Sequence, residues 1–86
     1  AAGEQASTAT AADDLLARLA AANDQYAAKH GFIYIVCATG RAAADMLADL
    51  ETRIGHNRAT EIRIAAEEQA KITRLRLDKL LQELAP

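Results

Sequence analysis

The chain has 86 residues and a formal net charge of −2 at pH 7, which limits it to one domain at most and gives no broad electropositive footprint for nucleic acid or an anionic membrane surface. Hydrophobic residues make up 51% of it, yet aromatic residues only 3%, and tryptophan is absent, so few large side chains can fill a core that at this size hides only roughly 60 to 65% of the unfolded surface. A core this thin predicts a partner, either a second copy of the chain or the remainder of the same fold.

The opening AAGEQASTAT is the one low-complexity stretch; it has no basic region followed by an apolar one, so it does not read as a signal peptide, and residues 1–10 are expected to be flexible. Thr10 with Asp13 three residues later resembles a capping box, which starts a helix over about 11–29. Leu15, Leu19, Ala22 and Tyr26 then fall at i, i+4, i+7 and i+11, one helical face, and Gly31 is placed to end it. A run of bulky β-branched and aromatic residues follows at 32–37, alone in a chain otherwise built from Ala, Leu, Glu and Arg. Cys37 closes that run. As the single cysteine it forms no intrachain disulfide, and no Cys/His cluster offers zinc spacing, which fits a reducing cytoplasm. No apolar run approaches the ~18 residues of a membrane span.

Thr39 and Gly40 predict a turn, and a second helix runs over about 41–54 with Met46, Leu47, Leu50 and Ile54 inward and Gly55 closing it. Asn57 caps a third helix over about 58–84, ahead of Pro86. At 100° per residue, Ile62, Ala65, Ala66, Ile72, Leu77, Leu80, Leu81 and Leu84 occupy roughly half of its circumference, the pattern of a core-facing helix. Arg76 falls inside that arc, four residues from both Ile72 and Leu80. Its guanidinium must snorkel, pair with an acidic residue, or clamp an anion such as a substrate carboxylate through two donors. Gln69 and Thr73 share the same half, as satisfied core polars or as the wall of a polar pocket. The fold class is therefore all-α: three helices, bundle-like, with one extended apolar connection.

An ordered set of short motifs carries a family resemblance. Gly31-Phe32 leads into Ile35-Val36-Cys37, then come Gly40, a short amphipathic helix, Asn57 with Arg58 and Glu61, and Ile72 followed by Leu75-Arg76-Leu77; upstream stands Glu4-Gln5-Ala6. This set resembles the C-terminal half of the 2-oxo-4-hydroxy-4-carboxy-5-ureidoimidazoline decarboxylases, which complete the conversion of urate to (S)-allantoin. The resemblance spans essentially all 86 residues but only about the last half of the family's domain. It implies a cofactor-independent carboxy-lyase acting on a small-molecule substrate. Glu4 is then the catalytic carboxylate that bonds the substrate hydroxyl, Gln5 supports the pocket wall, the main chain of Tyr34, Ile35 and Val36 lines the pocket, and Arg76 holds an anionic or carbonyl group.

The departures matter as much. The family's catalytic histidine sits upstream in a His-Pro context that this chain lacks, and Ala1 stands where the family has a serine before the E-Q pair. His30 and His56 match neither position and read as lone surface or turn histidines. The chain is thus a fragment, half of a longer domain, or a shortened relative. The competing reading is a helical interaction or dimerisation module without chemistry, favoured by the thin core. Arg76 separates the two, because an interaction helix has little reason to place arginine amid its apolar arc.

Overall fold

The computed structural model describes residues 2–85, with side chains described from residue 11 onward. Three helices follow one another, α1 (Ala2–His30), α2 (Ala43–Ile54) and α3 (Arg58–Leu84), and no strand occurs among the described residues. The all-α expectation holds, and the apolar run at 32–37 connects α1 to α2 without regular structure. Helix α1 starts well before the expected Thr10 cap, so Thr10 lies within it. The sequence upstream of Thr10 is alanine-rich, and at a cost of a few tenths of a kcal/mol for each intervening Ser or Thr, alanine propensity outweighs a local capping signal.

Gly31 ends α1 as expected. Its φ of +82° is left-handed, and its N–H returns to the Ala27 carbonyl at 2.9 Å, a helix end that favours glycine. The next turn places Gly40 at φ +76° and closes with Arg41 N–H on the Ala38 carbonyl at 3.0 Å; a left-handed third residue is what a type II turn requires. Helix α3 is capped as predicted, the Asn57 side chain accepting from Thr60 N–H at 2.8 Å.

The core sits between α1 and α2. Ala22, Tyr26, Leu47 and Leu50 are buried together, with Leu15, Leu19, Phe32, Tyr34 and Ile54 packed around them. Tyr26 is its centre, meeting His30, Phe32 and Tyr34 edge-on with ring centroids 4.6, 5.7 and 5.5 Å away, geometries that add roughly 0.5–1.5 kcal/mol each beyond area burial. The basic end of α1 also caps α2: Lys29 Nζ donates to the Ile54 carbonyl and His30 Nε2 to that of Arg53, satisfying acceptors that a helix end leaves open.

Helix α3 departs from its expected register. Its buried residues are Glu61, Ala65 and Glu68, a stripe displaced by about 110° from the centre of the apolar arc. Of that arc only Ala65 is buried and Ile72 half-buried, whereas Ala66 is exposed and Ile62, Leu77, Leu80, Leu81 and Leu84 are 49 to 71% exposed. The reason is that only the first half of α3 lies against the rest of the chain; every residue from 73 to 85 is exposed. The whole is a slab of 51 × 41 × 14 Å with a radius of gyration of 16.7 Å. Its thickness is little more than one helix diameter, and a compact chain of this length would have a radius near ~12 Å. The accessible surface of 6177 Å² likewise exceeds the roughly 4,900 Å² of a closed chain of this mass.

Candidate functional site

The connection at 32–37 is fastened by charged side chains. Arg53, in the last turn of α2 and only 3% exposed, donates through Nη1 to the Ile35 carbonyl at 2.6 Å and through Nε to Glu61 Oε1 at 2.8 Å. Its guanidinium also lies 4.7 Å from the centre of the Tyr34 ring, a cation–π contact. Glu61, wholly buried, accepts in addition from the Tyr26 hydroxyl at 2.6 Å and from His56 Nδ1 at 2.8 Å. Two turns further along α3, Glu68 Oε1 accepts from Cys37 N–H at 3.1 Å while its other oxygen pairs with Lys71. Tyr34 donates to Asp49 on α2. Among the described residues no buried side-chain polar atom lacks a partner, the condition under which a buried charged cluster is tolerable.

Protonation follows from this wiring. Burial alone would push the Glu61 carboxyl up, but the hydrogen bonds from Tyr26, His56 and Arg53 outweigh it and hold the group below the usual carboxylate range. Burial raises the Tyr26 phenol to about 12, reinforced by its bond to Glu61, and burial with the bond to Asp49 moves Tyr34 the same way. Glu68 is held down chiefly by Lys71, with Cys37 N–H helping. Near neutrality the cluster is therefore ionised carboxylates, a guanidinium and neutral phenols.

Two hollows that share lining residues border the connection. One, of about 430 Å³, is bordered by Ile33, Tyr34, Ile35, Val36, Met46 and Gln69 among others; its neighbour, of about 310 Å³, by Val36, Cys37, Thr39, Ile72, Leu75 and Arg76. Val36, Ala38 and Ile72 belong to both. Of the sequence-derived site residues, Tyr34, Ile35 and Val36 border the larger hollow and Val36 and Arg76 the smaller, so Val36 is the site residue common to both. Arg76 is exposed there, and no ion pair among the described residues includes it, which leaves its donors available at the rim. Gln69 is an exposed wall residue of the larger hollow and not a core polar; Thr73 is exposed as well. Glu4 and Gln5 lie on α1 outside the residues whose side chains are described. Among the described residues no three His, Cys, Asp or Glu side chains gather as a metal site needs, and no helix is long and apolar enough to cross a membrane.

Two histidine expectations need correction. His30 is not a surface residue but 1% exposed, fixed by its edge-on contact with Tyr26 and its bond to Arg53. His56 does lie in the turn before α3, yet it is not lone, being bonded to Glu61. Sequence reasoning also missed Arg53, Glu61 and Glu68 as interior groups. The usable signal was spacing: Met46, Leu50 and Arg53 fall at i, i+4 and i+7, and Glu61, Ala65, Glu68 and Ile72 at i, i+4, i+7 and i+11, each one helical face.

Residues 1–78 match the family model described as OHCU decarboxylase. The chain is 46% identical over 77 residues to the uric acid degradation bifunctional protein TTL of Arabidopsis thaliana, covering 90% of this chain and 24% of that protein. It is 36% identical over 66 residues to the 2-oxo-4-hydroxy-4-carboxy-5-ureidoimidazoline decarboxylase of Amia calva, covering 77% and 38% respectively. A crystal structure of OHCU decarboxylase in the presence of (S)-allantoin superposes with a TM-score of 0.79 at 46% identity, over 80% of this chain and 49% of that one. The chain therefore spans between a quarter and a half of the length of these relatives.

Proposed function

The chain belongs to the OHCU decarboxylase family, and we propose that it supplies the C-terminal half of a domain that decarboxylates 2-oxo-4-hydroxy-4-carboxy-5-ureidoimidazoline to (S)-allantoin in urate degradation, without a cofactor. The observation that supports the reading is that Tyr34, Ile35 and Val36 border one hollow and Val36 and Arg76 its neighbour, with Arg76 in no ion pair among the described residues. A flat heterocycle rich in amide-like donors and acceptors suits a main-chain wall, and a carboxylate or carbonyl suits a planar cation with two parallel donors. Arg76 orients the substrate; Glu4 bonds its hydroxyl and Gln5 backs the wall. The bond to the departing carboxylate breaks, its electron pair passes into the neighbouring ring, and a proton is then delivered to one face of the carbon. The histidine that assists these steps belongs to the upstream half of the domain. The uncovered arc of α3 is the surface that this half, or a second copy in a homodimer, occupies, and the setting is the cytoplasm.

A second reading rests on the same arc: Leu77, Leu80, Leu81 and Leu84 present an exposed apolar face that a pure interaction module would use. The test is Arg76→Ala in the domain completed with its upstream half, assayed on freshly generated substrate. The decarboxylase reading expects most turnover to be lost with helicity retained. Unchanged turnover removes Arg76 from the site, and a completed wild-type domain that associates but never turns over substrate favours the module.

A further inference from the structure

Two main-chain groups of the connection are held by charged side chains. Arg53 takes the Ile35 carbonyl and Glu68 the Cys37 amide, and in an extended backbone these two groups point the same way while both main-chain groups of the residue between them point the other way. In that geometry the Val36 N–H and C=O face away from the two anchors, and Val36 is the connection residue that, with Ala38, borders both hollows. We infer that Arg53 is a positioning residue for substrate: with Glu68 as its second point of attachment, it fixes the rotational setting of the connection so that the Val36 peptide groups stand free as ligands. The inference rests on the decarboxylase reading and adds to it a residue that does not itself reach the substrate.

The chemistry of Arg53 fits that task and not a general packing role. Three directions of its fork are used at once, Nε to Glu61, Nη1 to Ile35 and Nη2 toward the Tyr26 hydroxyl at 3.4 Å, while its flat face lies against the Tyr34 ring. The guanidinium thus locks the connection to α1, α2 and α3 together. A lysine ammonium can pair with Glu61 or reach Ile35 but cannot reproduce the fixed angle between the two bonds. Segment setting and fold stability are therefore separable by substitution.

The experiment is Arg53→Lys in the completed domain, with kcat and KM determined separately on fresh substrate and amide hydrogen exchange followed across residues 32–38. Mispositioned main-chain ligands weaken ground-state and transition-state binding alike, so KM should rise roughly tenfold with kcat within about threefold. Exchange at 35–37 should quicken about tenfold while the core of α1 and α2 keeps its protection. A merely structural Arg53 predicts a smaller folded fraction, hence lower apparent kcat at unchanged KM. Unchanged KM in folded Arg53→Lys overturns the inference, whatever the exchange shows. If that variant does not fold, Glu68→Ala frees the Cys37 amide without touching the Arg53–Glu61 pair, and should raise KM roughly threefold; unchanged KM there overturns the inference equally. A wild-type domain without turnover is a different result: it removes the decarboxylase reading, and with it the substrate role of Arg53.

Discussion

Replacing Glu61 by glutamine changes one charge and almost no shape. The side-chain oxygen can still accept from Tyr26 and Arg53, which both bind Oε1, and the new amide nitrogen faces His56 where Oε2 stood. What is lost is the anion beside a guanidinium that is only 3% exposed. Breaking a buried pair from one side costs up to about 3 to 5 kcal/mol when the other charge is left uncompensated; Asp49, 3.9 Å from Arg53 Nη1, offsets part of that. The remainder is still a sizeable part of the roughly 5–15 kcal/mol by which domains are stable. Urea unfolding of the completed domain at pH 7, followed by circular dichroism at 222 nm, should therefore show Glu61→Gln close to the edge of folding. Adding Arg53→Met should recover part of the loss, because no buried cation then remains. The pH dependence gives an independent check. The folded Glu61 carboxyl lies below its ordinary value of 4.5, so its contribution is complete above that value and disappears as pH falls through the folded one. The wild type should carry this acid limb and Glu61→Gln should lack the corresponding share. A loss under about 1 kcal/mol, the net worth of one ordinary hydrogen bond, would mean that Arg53 and Glu61 are hydrated in solution, and the cluster argument fails.

Arg76→Ala should cost on the order of 2 to 5 kcal/mol of transition-state stabilisation in kcat/KM while the unfolding curve stays put, since the side chain is exposed, and Arg76→Lys should restore only part of it. Gly31→Ala should lower stability by about 1 kcal/mol: the new Cβ meets nothing closer than Arg58 Nη2 at 3.8 Å, so the cost is the left-handed φ alone, and denaturant midpoints measure it. At high pH, stability should fall as Tyr26 ionises, complete below pH 10 and lost as pH rises through about 12. Tyr26→Phe should shrink that alkaline limb without abolishing it, because the Tyr34 phenol is raised too.

The helices were legible because their signals are local: the α1 and α2 apolar faces, the left-handed glycines at 31 and 40, and the Asn57 cap each depend on a few neighbouring residues. The covered face of α3 was not, since an apolar arc states that something covers it but not whether that element lies in the same 86 residues. The charged interior was hidden for another reason. Arginine and glutamate are by type surface residues, and only complementary positions on α2 and α3, brought together through Tyr26 from α1, make their burial affordable. The hollows around Val36 were legible from family motifs, whereas the anchoring of the connection needed the three-dimensional partners of Ile35 and Cys37.

The central claim is that this chain completes a stereospecific decarboxylase, and the handedness of the product tests it most directly. Freshly generated 2-oxo-4-hydroxy-4-carboxy-5-ureidoimidazoline is supplied to the domain completed with its upstream half, and allantoin formation is followed by circular dichroism. Spontaneous decay gives a racemate with no net signal, so a protein that delivers the proton to one face should produce the S signal, and faster than the decay. Racemic allantoin at the spontaneous rate, from a folded domain, would contradict the account.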